Sequence, residues 1–275
     1  MSEVKEELKV MVVQDVIHWD DEAANLSHFT EVLAEVKAGE SDLIVLPEMF
    51  TTGFSLGTES AALFDEEMDV LQWMKSVAKE KKACITGSVK VKDGEHFYNR
   101  LFWVAEDGST AFYDKRHLFT FAGEHEHFSA GEKRLVVECK GWRIGLFVCY
   151  DLRFPIWSRN MNKGGLPMYD AALYVANWPA VRSEPWSILL KARAIENQCY
   201  VIACNRVGKD SNGHLYSGNS GVIDPKGVDL AAAVPFEPSL IKASLSYPEL
   251  AEFRKKFPVI EDGDWELGIR NWEYV

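Results

Sequence analysis

The chain has 275 residues, of which 47% are hydrophobic and 26% charged, and its formal net charge is −12. That composition suits a globular protein with a sizeable core, held in one large domain spanning residues 1–275 or in two small ones. An acidic chain gains nothing from counterion release on nucleic acid and is repelled by anionic membrane surfaces, so neither partner is expected.

The elements alternate between strands and amphipathic helices. Lys9–Ile17 is a β-branched run that predicts a buried strand. Asp20 or Asp21 can cap a following helix with Leu26, Phe29, Leu33 and Val36 on one face, and Gly39 can end it. Asp42–Leu46 predicts a second buried strand, parallel to the first because a helix intervenes. A helix over Glu66–Lys81 is followed by strands at Ala83–Val89, Tyr98–Val104 and Ser109–Tyr113. Asp93-Gly94 and Asp107-Gly108 suit the hairpin turns between them. Leu135–Glu138 and Arg143–Val148 form another strand pair around Lys140-Gly141. A helix is predicted near Ile156–Asn162, a strand at Ala171–Ala176 and a long helix at Glu184–Gln198. Strands at Cys199–Asn205 and Gly221–Ile223 end the core. The class is α/β with mixed strands, better divided between two sheets than held in one. The segment 242–275 is charged and aromatic, and is expected to pack on the domain or on a partner subunit.

The cysteines, Cys84, Cys139, Cys149, Cys199 and Cys204, are odd in number and form no CxxC pair. A disulfide framework or structural zinc is therefore not expected, and a reduced, cytoplasmic setting fits. The first residues lack the basic start and apolar middle of a signal peptide, and no apolar run approaches the roughly 20 residues that cross a bilayer.

Three segments can carry chemistry. In GLFVCYDLRFP an apolar strand ends in Cys149, and Pro155 is placed to open a helix. A thiol at a helix N-terminus has its pKa lowered and has free N–H groups beside it. In LIVLPEMF a buried strand runs into Glu48, at the strand end where α/β sheets bind ligands. Its apolar neighbours suit a general base or acid. In AFYDKRHLF another strand ends at Lys115, an ammonium that can face a developing oxyanion. Each segment also has a structural reading: a core cysteine, a solvated glutamate, a surface basic cluster. His117, His125 and His127 do not have the one-turn spacing of HExxH, so no metal is expected. There is no GxSxG, P-loop or dinucleotide fingerprint, and no cofactor is expected.

Taken together and in this order, LPEMF, YDKRHLF and CYDLRFP resemble the nitrilase, or carbon–nitrogen hydrolase, superfamily. NWP at Asn177, ARAIEN at Ala192 and CNR at Cys204 resemble family segments too, and the likeness spans about Leu8 to Ile241. CYDLRFP with NWP and ARAIEN looks most like the omega-amidase branch. The resemblance implies a four-layer α-β-β-α sandwich that assembles as a homodimer or higher homo-oligomer. It implies Cys149 as nucleophile, Glu48 as general base, Lys115 and the Tyr150 backbone N–H as oxyanion donors, and Glu124 as a further site glutamate. The implied reaction is hydrolysis of a small carboxamide through a thioester, with a dicarboxylate monoamide such as 2-oxoglutaramate as substrate. Arg182 and Arg153 are candidates for the substrate's far carboxylate, and Asn177, Trp178, Phe54 and Phe119 for the pocket wall. The same triad could act instead on a nitrile or an N-carbamoyl amine. An interaction module that has lost the chemistry is the reading from another class.

Overall fold

The computed structural model describes residues 4–161 and 166–263. β1 (Glu7–Gln14) is buried on both faces, as its unbroken apolar run requires. Asp21 caps α1 (Glu22–Ala34) by accepting the Ala24 N–H at 3.0 Å. The helix stops before Gly39, the predicted end. Gly39 instead sits at φ +74°, and its N–H reaches Lys81 O at 2.7 Å. β2 (Leu43–Val45), β3 (Ala62–Leu63), α2 (Asp69–Lys81), β4 (Cys84–Asp93), β5 (His96–Val104) and β6 (Thr110–Asp114) follow. Both predicted hairpin turns join β4 to β5 and β5 to β6.

After a single-turn α3 (Glu124–His127), β7 (Val136–Cys139) and β8 (Trp142–Val148) form a hairpin. Its turn residues Lys140 and Gly141 both have positive φ, 51° and 84°, which matches the twist of paired strands. The chain continues through β9 (Ala171–Ala176), α4 (Ser183–Asn197), β10 (Tyr200–Asn205), β11 (Val207–Lys209), β12 (Leu215–Ser217), β13 (Gly221–Ile223), β14 (Asp229–Ala232), β15 (Ser239–Ser246) and α5 (Tyr247–Lys256).

Two sheets make the centre. One has the order β15-β1-β2-β4-β5-β6, with β3 on β4, and the other β14-β13-β10-β9-β8-β7. Strand period two sorts the side chains. Val10 and Val12 face the second sheet, with Leu146, Val148, Leu173 and Ile202. Met11 and Val13 face α1 and α2, where Phe29, Leu33, Leu71 and Met74 pack. On the other side Tyr174, Ala176 and Val201 pack on Trp186, Leu190 and Ala194 of α4. The layers are therefore α-β-β-α. No helix among the described residues is long and apolar enough to cross a membrane.

Two expectations need correction. No helix forms over the described part of 156–162. A 3-10 turn at Cys149–Arg153 takes up the bend at the end of β8, and Pro155 lies among turns after it. The core also does not end near Ile241. That boundary cuts β15, which pairs with β1 along its whole length from Glu7↔Ser246 to Gln14↔Ser239. α5 packs on the domain through buried Leu250 and through Arg254, which bonds Asp170 at 2.9 Å. The rest of the aromatic segment, from 264 onward, lies outside the described residues.

Candidate active site

Four strand ends meet at one place on the seam between the sheets. Glu48 follows β2 directly after Pro47, and Lys115 follows β6. Cys149 follows β8, and Asn177 follows β9. β8 and β9 run parallel, so both deliver their next residue to the same edge.

Glu48 is fully buried. Its Oε1 accepts from Asn99 Nδ2 at 2.7 Å and from Lys115 Nζ at 3.0 Å, and its Oε2 accepts the Asn177 N–H at 2.6 Å. The following residue, Met49, has φ +44° and donates its N–H to Ser88 Oγ at 2.8 Å, which pins the loop to β4. Lys115 also donates to Glu124 Oε1 at 3.0 Å and Oε2 at 2.9 Å. Glu124 opens α3, is fully buried, and accepts the Phe119 N–H at 2.6 Å. One ammonium thus clamps two buried carboxylates. Burial opposes its charge, yet Glu124, Glu48 and Cys149 hold its pKa above the ordinary lysine value. Burial raises the pKa of Glu124, while Lys115 pulls it back.

Cys149 stands at φ +44°, uncommon for a residue with a Cβ, so the thiol is turned off the strand axis. Asp151 holds this bend. Fully buried, it accepts the Val148 N–H at 3.0 Å and the His117 N–H at 3.0 Å. It also accepts Tyr113 Oη at 2.7 Å and pairs with His117 Nδ1 at 2.7 Å. Tyr113 and His117 flank Lys115, so Asp151 ties the Cys149 turn in one sheet to the Lys115 segment leaving the other.

The thiol's pKa runs opposite to the sequence expectation. Burial first, and then the Glu48 carboxylate, push it well above the ordinary cysteine value, and Lys115 only partly offsets them. A helix dipole does not act here, because the turn after β8 is a short 3-10 turn. The raised pKa favours the protonated sulfur, and the Glu48 side chain lies beside it. Cys149 is half-buried, and Cys84, Cys139, Cys199 and Cys204 are buried. Iodoacetamide should therefore modify Cys149 first. Because the thiolate is the reactive form, the rate should keep climbing above about pH 9 instead of levelling near neutrality. Mass spectrometry over a pH series measures this, and a plateau below pH 8 would contradict the raised pKa.

A cavity of about 720 Å³ opens above Cys149. Phe54, Phe119, Trp178, Asn177, Arg153 and Arg182 all line it, as do Lys115 and Tyr150, so the residues singled out in the sequence converge here. Glu48 and Glu124 lie beneath its floor. The Phe54 ring is 5.2 Å from Lys115 Nζ. Tyr150 follows Cys149 in the 3-10 turn, its ring 5.0 Å from that of Phe119. Arg153 lies over Trp178 at 4.8 Å, and Arg182 over Phe119 at 5.5 Å and Phe121 at 5.1 Å. Asn177 does more than line the wall, since its N–H holds Glu48 while its own Oδ1 has no partner among the described residues. Sequence reading missed Asn99 and Asp151. A lone buried asparagine in the apolar strand HFYNRLFWV was a usable signal for the first. It also missed Trp19, Asp210, His214 and Tyr216, which line the cavity too.

A thiol, a carboxylate and an ammonium at the floor of a largely apolar cavity can perform nucleophilic acyl transfer. The model of the carbon-nitrogen hydrolase family matches residues 9–255. The chain is 49% identical over 257 residues to the omega-amidase YafV of Escherichia coli K12, covering 94% of this chain and 97% of that one. It is 34% identical over 234 residues to a 2-oxoglutaramate amidase of Bacillus subtilis 168, covering 84% and 88%. The crystal structure of XC1258 from Xanthomonas campestris, a CN-hydrolase superfamily protein with an arsenic adduct in its active site, superposes with a TM-score of 0.90. That chain is 42% identical, with 94% of this chain and 98% of that one covered.

Proposed function

The chain belongs to the carbon-nitrogen hydrolase family and is an amidohydrolase, and from that premise we propose that it removes ammonia from a small dicarboxylate monoamide through a thioester on Cys149. The observation that carries the reading is the clamp of Lys115 on Glu48 and Glu124 directly below Cys149.

Glu48 takes the thiol proton as sulfur attacks the amide carbonyl. A protonated resting thiol needs such a base in the same step. The negative charge gathers on the carbonyl oxygen, where Lys115 and the Tyr150 N–H stabilise it. N–H groups in the first turn of a helix have no partner within it and are free to donate. Glu48 passes the proton to the leaving nitrogen, and ammonia departs. The acyl group stays on sulfur until Glu48 activates a water that releases the acid and restores the thiol. Glu124 keeps Lys115 charged and fixed throughout.

The substrate class follows from the rim of the cavity. Neither Arg182 nor Arg153 has a carboxylate partner among the described residues. A carboxylate at the far end of the substrate would find in Arg182 a donor already resting against two neighbouring rings. Similarity to omega-amidases and to a 2-oxoglutaramate amidase supports the same class.

Ammonia release from 2-oxoglutaramate, a simple nitrile and an N-carbamoyl amine tests the reading. The first should be fastest, and higher turnover on either of the others would overturn it. Arg182→Met should raise KM for 2-oxoglutaramate roughly 10- to 100-fold, the equivalent of a hydrogen bond to a charged group. Its kcat, and its KM for an uncharged amide, should hold. An equal rise in both KM values would remove Arg182 from the carboxylate site.

A further inference from the structure

Lys90 is a charged side chain that this reaction does not use. It lies in β4 opposite Asn99 of β5 and is fully buried. Its ammonium donates to Gly57 O at 2.6 Å, Ser60 Oγ at 2.8 Å and Ser55 Oγ at 3.2 Å, and pairs with Asp20 Oδ1 at 3.2 Å. The hydroxyls of Ser55 and Ser60 each donate to Asp20 at 2.6 Å. An ammonium has three N–H groups, and all are spent on two chain segments. Burying a lysine charge is costly, so a site that replaces its water so fully is a fixed one.

Both segments form the cavity wall. Ser55, Leu56 and Gly57 line the cavity, and the neighbouring Phe54 covers Lys115. Trp19, next to Asp20, lines it from the same side. Residues 53–60 contain no helix or strand, and Asp20 has φ +50°. Irregular backbone of this kind needs side-chain partners to hold one shape. The reacting groups are held independently: Glu48 by Asn99 and Asn177, Lys115 by Glu124, and the Cys149 turn by Asp151.

We propose that Lys90 is a positioning residue that sets the affinity of the cavity for its amide by locking the Trp19 and Phe54–Gly57 wall. This rests on the cavity being the amide site, as argued above. A lysine serving stability alone would lower Tm without separating KM from kcat.

Lys90→Met keeps most of the length of the side chain and removes the charge, while Ser60→Ala removes two of these hydrogen bonds at a residue outside the cavity lining. Steady-state kinetics with 2-oxoglutaramate should show KM raised about tenfold in K90M and about threefold in S60A, because a loosened wall must be ordered when the amide binds and that ordering lowers affinity. In both variants kcat should stay within about threefold of the unaltered enzyme. A second readout does not depend on turnover. The rate of Cys149 alkylation by N-benzylmaleimide relative to iodoacetamide should rise in K90M, because a loosened wall admits the bulkier reagent. If K90M does not fold, the same two measurements on S60A decide. An unchanged KM and an unchanged alkylation ratio overturn the proposal, as does a fall in kcat at constant KM. If the unaltered protein releases no ammonia from any carboxamide, the functional reading falls, and the alkylation ratio still judges the wall.

Discussion

Cys149→Ala is expected to abolish ammonia release, lowering kcat by about 10⁴- to 10⁶-fold, as loss of a covalent nucleophile does. No second thiol can stand in, because the other four cysteines are buried away from the cavity. The fold should be untouched. Alanine at φ +44° meets the same backbone strain as cysteine, so the strain cancels between the two proteins. Only one half-buried sulfur is lost, worth about 1 kcal/mol or less of burial. Glu48 and Lys115 keep their partners, so substrate should still bind, and calorimetric titration with 2-oxoglutaramate should show it. A variant that keeps ammonia release within tenfold of the unaltered enzyme would end the thioester mechanism.

Lys115→Met should have the second largest effect, in activity and in stability together. Without the ammonium, Glu48 and Glu124 remain buried with no counter-charge among their hydrogen-bond partners. Removing one partner from a buried ionic cluster costs about 3–5 kcal/mol. For a domain of this size each kcal/mol lowers Tm by about 2–4 °C. Loss of a donor to the oxyanion should lower kcat roughly 10²- to 10³-fold. The double variant Lys115→Met/Glu124→Gln separates the two effects. Removing one of the stranded charges should recover part of the lost Tm and none of the lost kcat. Recovery of both would make Lys115 purely structural. The pH dependence has a definite sign. The folded-state pKa of Lys115 lies above the ordinary value, so its stabilisation is complete at neutral pH and fades only as pH rises past the normal lysine range. Lys115 itself therefore adds no pH dependence between pH 6 and 9, but in K115M the buried Glu124 carboxyl loses the ammonium that holds its pKa down, so the gap in Tm should widen as pH rises.

Local pattern made much of the fold legible. The β-branched runs around Val12 and Ile44, the cap at Asp21 and the hairpin turn at Lys140-Gly141 are short-range signals, because backbone conformation there depends on adjacent residues. The end of the fold was not legible in this way. β15 alternates apolar and polar residues at a sheet edge, with only Ile241 and Leu245 buried, and its partner β1 lies more than two hundred residues away. α5 has Ser246 as its N-cap and Pro248 in its first turn, signals that the charged, aromatic composition of the segment masked.

The same division holds at the cavity. Sequence by itself determined which groups are available, Glu48, Lys115 and Cys149, each directly after an apolar strand, and the family that their order resembles. Tertiary structure alone decided that one ammonium spans both carboxylates, that Asp151 and Asn99 hold the parts in register, and that Lys90 underlies the wall. It also reversed the expected direction of the Cys149 pKa. Burial and the distance to a carboxylate set that direction, and both arise from packing one sheet on the other, which residue order along the chain does not encode locally.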